Sequence, residues 1–396
     1  MLLSADIVIR LLHERIIVFL TYEFNILCYY CGMKTINFNS IINLNDIERL
    51  AESVLPQYAY EYYFGGANDE ITLRENKQAF QQIRIAPRVM VDVSELDTST
   101  TIFDHTIPAP ILFAPTAFHG LATPKAEAAT ANAASISKTI MILSTLSNTR
   151  MEEVANQTDT PLWFQLYVYK DRELTRELIK RAEKSGFSAL CITVDAPLLG
   201  SRERDVHNNF TLPENLSLPN IIAYPGEHLS KENSGSALTT YFSTLLDQSL
   251  NWKDIEWVRS ITNLPLILKG IQHPLDAEIA VKNGIDAIVV SNHGGRQLDT
   301  VPGTITLLPK ISEIVNNQIP IFLDGGVRRG TDIIKALAYG AKAVLIGRPI
   351  LWGLTLAGAE GASKVFSILK DELSLAMALT GTKSITKITP DIIWKG

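Results

Sequence analysis

The chain has 396 residues, 46% of them apolar and 20% charged, the make-up of a globular protein with a large buried core. A net charge of −6 and the lack of any basic stripe exclude the electrostatics of a nucleic-acid binder. Three cysteines, Cys28, Cys31 and Cys191, are too few for a disulfide framework and fit a reducing compartment.

Residues 1–32 differ from the rest. They are rich in Ile, Leu, Phe and Tyr, but Asp6, Arg10, His13, Glu14, Arg15 and Glu23 interrupt any run long enough to span a bilayer. No basic start, clean apolar stretch and small-residue cleavage site mark a signal peptide. The lone CxxC at Cys28 and Cys31 has no second pair or histidine cluster beside it, so no metal is expected. Met33-Lys34-Thr35 opens a more typical N-terminus, and residues 1–32 are expected to be an upstream extension or a disordered tail. Residues 33–396 are expected to form one domain. Asn45 followed by Glu48 predicts a helix opened by a capping box. At the far end, residues 393–396 carry no peroxisomal address. With no targeting signal and no membrane span, a bacterial cytoplasmic setting is expected.

From residue 109 onward, apolar β-branched runs alternate with helical stretches. The runs are 110–114, 139–144, 162–167, 189–194, 265–269, 287–291, 320–324 and 343–347. They are continuous and mostly apolar, the pattern of parallel strands buried on both faces. Helical segments such as 172–185, 274–283 and 331–339 lie between them. Eight such units predict an α/β fold, a (β/α)8 TIM barrel. No GxGxxG follows the first strand, which argues against a dinucleotide-binding open sheet. The Gly-, Pro-, Ser- and Asn-rich stretch after the fourth strand, about 200–250, is expected to be a long mobile lid.

Every strand delivers a polar group at its C-terminal end, where barrel enzymes build their sites. Pro115-Thr116-Ala117 follows the first strand and Ser144 ends the second. Gln165 and Tyr167 end the third, Thr193 and Asp195 the fourth, and Lys269 the fifth. Ser291 and His293 end the sixth, Asp324 the seventh, and Gly347-Arg348 the eighth. The densest stretch is 291–299, where His293 precedes Arg296 by three residues. Histidine titrates near neutrality and suits reversible proton abstraction. The planar arginine fork matches a carboxylate with two parallel hydrogen bonds. The pair therefore predicts a site that grips an acid and deprotonates the carbon or oxygen beside it. Residues 324–330 and 346–349 are glycine turns entering helices, whose backbone N–H groups favour anions. With Arg328 and Arg348 they predict a phosphorylated cofactor or substrate.

These residues resemble the FMN-dependent 2-hydroxy-acid oxidases and dehydrogenases, a family that includes glycolate oxidase and L-lactate oxidase. The resemblance runs from about residue 43 to 388. It is carried by Tyr62-Tyr63 with Gly66-Ala67, by 114–117, 164–167 and 193–195, by Lys269-Gly270, and by the blocks at 291–299 and 322–330. It implies FMN as cofactor and a small 2-hydroxy acid and dioxygen as substrates, with hydrogen peroxide and a 2-oxo acid as products. It implies His293 as the base and Asp195 as the carboxylate that orients it. Arg296 and Tyr62 would hold the substrate carboxylate, with Arg202 as a second cation from the lid. Tyr167 would bond the substrate hydroxyl, and Lys269 would stand beside flavin N1 and O2. Pro115, Thr116, Ala117, Ser144, Gln165 and Thr193 would line the flavin ring edge, with Ser291 and Asp324 on the ribityl chain or ring. Gly326, Arg328, Gly347 and Arg348 would cradle the phosphate. Relatives are often tetramers, so a homo-oligomer is implied.

Two positions depart from glycolate oxidases. Leu146 stands where those enzymes carry a Trp, and Phe242 where they carry a smaller residue. Leu146 leaves room beside substrate C3 and removes an indole donor, which points to L-lactate before other short acids. Glycolate or longer-chain oxidation, or electron transfer to a quinone or cytochrome, are the alternatives.

Overall fold

The structure is a computed structural model that describes residues 40–221 and 237–395. The expectations for residues 1–32, including the Cys28–Cys31 pair, lie outside the described residues. From Ile42 onward the chain forms one compact unit.

Among the described residues three helices precede the barrel: α1 (Leu44–Val54), α2 (Gln57–Phe64) and α3 (Ile71–Gln82). The cap of α1 is Asn43, two residues earlier than the expected Asn45. Its side chain accepts from the Asp46 N–H, and Asp46 accepts in turn from the Ile42 N–H. Starting at Leu44 turns Leu44, Ile47 and Ala51 inward together, and that burial sets the start.

Eight parallel strands follow: β1 (Ile111–Phe113), β2 (Met141–Ser144), β3 (Leu162–Leu166), β4 (Ala189–Thr193), β5 (Leu266–Ile271), β6 (Ala287–Val290), β7 (Ile321–Leu323) and β8 (Ala343–Ile346). They close in the order β8-β1-β2-β3-β4-β5-β6-β7. Each sits inside, or within two residues of, its expected run. Trp163, Cys191, Ile267, Val289, Phe322 and Leu345 fill the barrel core. A hairpin of Thr100–Ile102 paired with His105–Ile107 packs Ile102 and Ile107 onto that core. At the other end, Ser144 pairs with Gln165 and Thr193 with Lys269. The register thus holds four predicted site residues side by side on three adjoining strands and their neighbour.

Helices α4 (Ala126–Ser137), α5 (Met151–Ala155) and α6 (Arg172–Lys184) connect the early strands. Of the stretch after β4, residues 222–236 lie outside the described residues, and the described part carries α7 (Glu203–His207), α8 (Ala237–Leu245) and α9 (Trp252–Ile261). The end of α8 is tied to the segment after β3. Lys170 N–H donates to Leu245 O at 2.9 Å, Asp247 N–H to Val168 O at 3.1 Å, and the Tyr169 and Tyr241 hydroxyls meet at 2.6 Å. Helices α10 (Pro274–Lys282), α11 (Thr304–Val315) and α12 (Gly330–Ala338) complete the wall, and α13 (Arg348–Leu379) is broken at Ala357–Gly358. Among the described residues no helix is long and apolar enough to cross a membrane.

Candidate active site

The C-terminal strand ends surround a cavity that is open to solvent, about 1060 Å³ with the solvent at its mouth included. Nearly all predicted site residues line it: Tyr62, Pro115, Thr116, Ala117, Ser144, Leu146, Gln165, Tyr167, Thr193, Arg202, Phe242, Lys269, His293, Arg296, Asp324, Gly326, Arg328, Gly347 and Arg348. Asp195 and Ser291 stand one layer behind. Asp195 Oδ1 is 2.9 Å from His293 Nδ1, and Ser291 Oγ is 3.3 Å from Lys269 Nζ.

His293 sits in the left-handed backbone region at φ +56, a strain of about 1–3 kcal/mol for a residue with a side chain. The turn that imposes this brings its ring to Asp195. Gly270 makes room for that carboxylate: a Cβ there would stand 2.5 Å from Asp195 Cβ. Burial lowers the His293 pKa and nearby Lys269 lowers it further, while Asp195 raises it, so the ring is held below its ordinary value. Burial pushes the Asp195 carboxyl up, but His293 and Lys269 outweigh it and the net direction is down. The result is a neutral imidazole beside an ionised carboxylate, whose Oδ2 is buried without a hydrogen-bond partner among the described residues.

Lys269 Nζ lies 3.5 Å from Asp324 Oδ2. Burial lowers its pKa, yet Asp324 and Asp195 carry it above the ordinary lysine value, so it remains an ammonium. Gln165 crosses three strands: it accepts from Ser144 Oγ at 3.2 Å and donates to Thr193 Oγ1 at 3.0 Å. Burial pushes the Tyr167 phenol up to about 12, so it stays a neutral donor.

Arg296 leans over the Tyr62 ring, 4.9 Å from its centroid, and donates to Tyr62 O at 2.5 Å and Gly65 O at 3.0 Å. Arg202 Nε reaches Arg296 O at 3.4 Å. Burial and the like charge of Arg296 bring Arg202 down to about 10, still protonated at neutral pH. Asp205, absent from the expected set, is buried beside both arginines, and its Oδ2 has no hydrogen-bond partner among the described residues. Burial lifts its carboxyl above the ordinary value despite the two cations. Only the short turn from Arg202 to Asp205 in the sequence signalled it. Leu238 was also missed. It lines the apolar side with Leu146 and Phe242, the latter edge-on to Tyr167 at 5.5 Å between centroids.

Arg348 is placed differently from a simple phosphate ligand. Its Nε donates to Tyr63 O at 2.8 Å, one terminal nitrogen to Gly294 O at 2.9 Å and the other to Gly65 O at 3.0 Å. It cross-links α2 to the His293 turn while also lining the cavity. Gly294 is needed there, because a Cβ would stand 2.7 Å from an Arg348 terminal nitrogen. Arg328 stacks on Trp352 at 5.0 Å, and its Nε and Asp324 Oδ1 are both buried without a hydrogen-bond partner among the described residues.

Residues 51–395 match the family described as FMN-dependent dehydrogenase. The chain belongs to that family. FMN is accordingly its cofactor, and the donor set fits one: orphaned Arg328 Nε and Asp324 Oδ1 flank the Gly325-Gly326 turn at one end of the cavity. A 2-hydroxyacid oxidase from Dictyostelium discoideum is 49% identical over 92% of this chain and 93% of its own. An L-lactate oxidase from Nostoc sp. is 50% identical over 88% of this chain and 97% of its own. Among solved structures, a mandelate oxidase with (S)-4-hydroxymandelic acid superposes with a TM-score of 0.84 at 37% identity, covering 87% of this chain and 97% of that one.

Proposed function

We propose that this FMN-dependent protein oxidises short (S)-2-hydroxy acids with dioxygen as acceptor, and that L-lactate is its preferred substrate. The observation that carries the reading is the sharing of one cavity by two kinds of group. The Arg296 and Arg202 guanidiniums line the same cavity as the neutral His293 imidazole, which Asp195 holds.

Arg296 binds the substrate carboxylate, with Arg202 from the stretch after β4 as second cation and Tyr62 as a further donor. Tyr167 donates to the C2 hydroxyl. His293 Nε2 takes a proton from the substrate, and Asp195 stabilises the imidazolium that results. Thr116, Ser144, Gln165 and Thr193 would hold the flavin ring edge, Lys269 would balance negative charge on the ring, and Arg328 with the glycine turns would hold the phosphate. The chemistry supplied by bound FMN is two-electron acceptance from C2, with dioxygen as final acceptor and hydrogen peroxide as product. Leu146, Leu238 and Phe242 form an apolar wall that suits a methyl group at C3, a preference of about 1–3 kcal/mol over glycolate. The name of the Nostoc relative supports the same choice.

Anaerobic titration of the yellow protein tests the reading. L-Lactate should bleach the flavin, air should restore it with one peroxide formed per lactate, and kcat/KM should be higher for L-lactate than for glycolate. A higher value for glycolate overturns the substrate, and bleaching that only a dye reverses overturns the acceptor.

A further inference from the structure

His119 has no part in the chemistry above, yet it is among the most enclosed polar side chains of the protein, 2% exposed. Its two ring nitrogens each meet one hydroxyl. Nε2 is 2.7 Å from Thr116 Oγ1, and Nδ1 is 2.7 Å from Thr130 Oγ1 on α4. Buried Glu127 fixes the same loop, accepting from the His119 N–H at 3.1 Å, the Asn148 N–H at 3.0 Å and the Thr149 hydroxyl at 3.0 Å. The turn after β1 is thereby joined to the turn after β2.

Burial keeps the His119 ring neutral against the pull of Glu127. A neutral imidazole has one N–H and one acceptor nitrogen, so its two hydroxyl neighbours play opposite roles. With the proton on Nδ1, Thr116 donates to Nε2, and the Thr130 hydrogen has no acceptor. Thr130 is 1% exposed and its hydroxyl has His119 as its sole hydrogen-bond partner among the described residues. A buried donor without an acceptor is strongly disfavoured. With the proton on Nε2, Thr130 donates to Nδ1 and Nε2–H donates to Thr116. The Thr116 hydrogen is then left over, and Thr116 lines the cavity. The second arrangement leaves its spare donor where a ligand is bound.

We infer that His119 is a positioning residue that, locked by Thr130, presents the Thr116 hydroxyl as a hydrogen-bond donor to the edge of the flavin ring. The inference rests on the placement of Thr116 at that edge under the proposed function. A donor there favours the reduced ring, on which negative charge accumulates. Its removal lowers the flavin midpoint potential and weakens FMN binding by about threefold to tenfold, the worth of one neutral hydrogen bond.

The test compares the holoenzyme with Thr116→Val, His119→Leu, Thr130→Val and the Thr116→Val/His119→Leu double variant, reading FMN dissociation constant, visible spectrum and midpoint potential. Thr130→Val is isosteric and leaves both partners in place, so it reports even if His119→Leu fails to fold. All variants should lower the potential, Thr130→Val least, and the double variant should match Thr116→Val alone. A shift in Thr116→Val with wild-type spectra and potentials in His119→Leu and Thr130→Val overturns the inference. An unshifted Thr116→Val overturns the placement of Thr116 instead.

Discussion

Asp195 and His293 are 98 residues apart in the chain and 2.9 Å apart in space, one carried past the end of β4 and the other past β6. Their bond directs Nε2 of the imidazole to the cavity and sets its charge. Asp195→Asn keeps the shape and removes the charge. Flavin reduction by substrate, followed by stopped flow, should slow by at least about 100-fold, the low end of what a positioned base contributes.

The same pair sets a pH dependence. His293 must be neutral to accept a proton, and its pKa lies below the ordinary 6.5 because burial outweighs Asp195. The kcat/KM profile should be flat at neutral pH and fall on acidification through that depressed value. In Asp195→Asn the influence that raises the pKa is gone, so the acid limb should move to lower pH. A limb that moves upward would contradict this balance.

Lys269 and Asp324 form a buried pair at 3.5 Å. Lys269→Met should lower the midpoint potential of bound FMN and slow its reduction by about 100- to 1000-fold, as loss of a preorganised charge at the reacting ring does. It also leaves the Asp324 carboxylate buried and unpaired, at a cost of about 3–5 kcal/mol. Adding Asp324→Asn should recover much of the stability, measured by thermal unfolding, and little of the potential.

Arg296 grips backbone as well as facing the cavity, so its fork matters on both sides. Arg296→Lys keeps the charge but cannot hold Tyr62 O, Gly65 O and a carboxylate together. KM for substrate and Ki for oxalate should rise together, by about tenfold to 100-fold for a weakened charged hydrogen bond.

The barrel was legible because each strand is a short, mostly apolar run with a polar residue at or soon after its C-terminal end, and β1 to β8 fall where those runs lie. The candidate site was legible for a related reason: Lys269, Asp324, His293 and Arg296 are charged or titratable groups at, or within six residues of, the C-terminal ends of buried strands. What stayed hidden depends on long-range packing. The start of α1 moved to Asn43 because Leu44 and Ile47 face inward. Leu238 lies in a polar-looking stretch whose order comes from ties to Val168, Tyr169 and Lys170. Arg348 reads as a phosphate ligand by position, and only its bonds to Tyr63, Gly65 and Gly294 show that it also holds the His293 turn. Asp205 and His119 carry only a faint local signal, Arg202 and Thr116 three residues before them, while Arg296, Thr130 and Glu127 come from other elements.

Leu146 is the position where a single change should redirect the substrate. It lies 4% exposed at the end of the β2 turn, and its N–H donates to Ser144 Oγ at 3.1 Å, so the backbone there is fixed. Leu146→Trp fills the space beside C3 and supplies an indole donor. The wall formed with Leu238 and Phe242 then no longer accommodates a methyl group without strain. The ratio of kcat/KM for L-lactate over glycolate should fall by about tenfold to 100-fold, equivalent to about 1–3 kcal/mol. FMN content and the spectrum of the resting enzyme should stay as in wild type. An unchanged ratio with intact flavin would place the discrimination at Leu238 and Phe242.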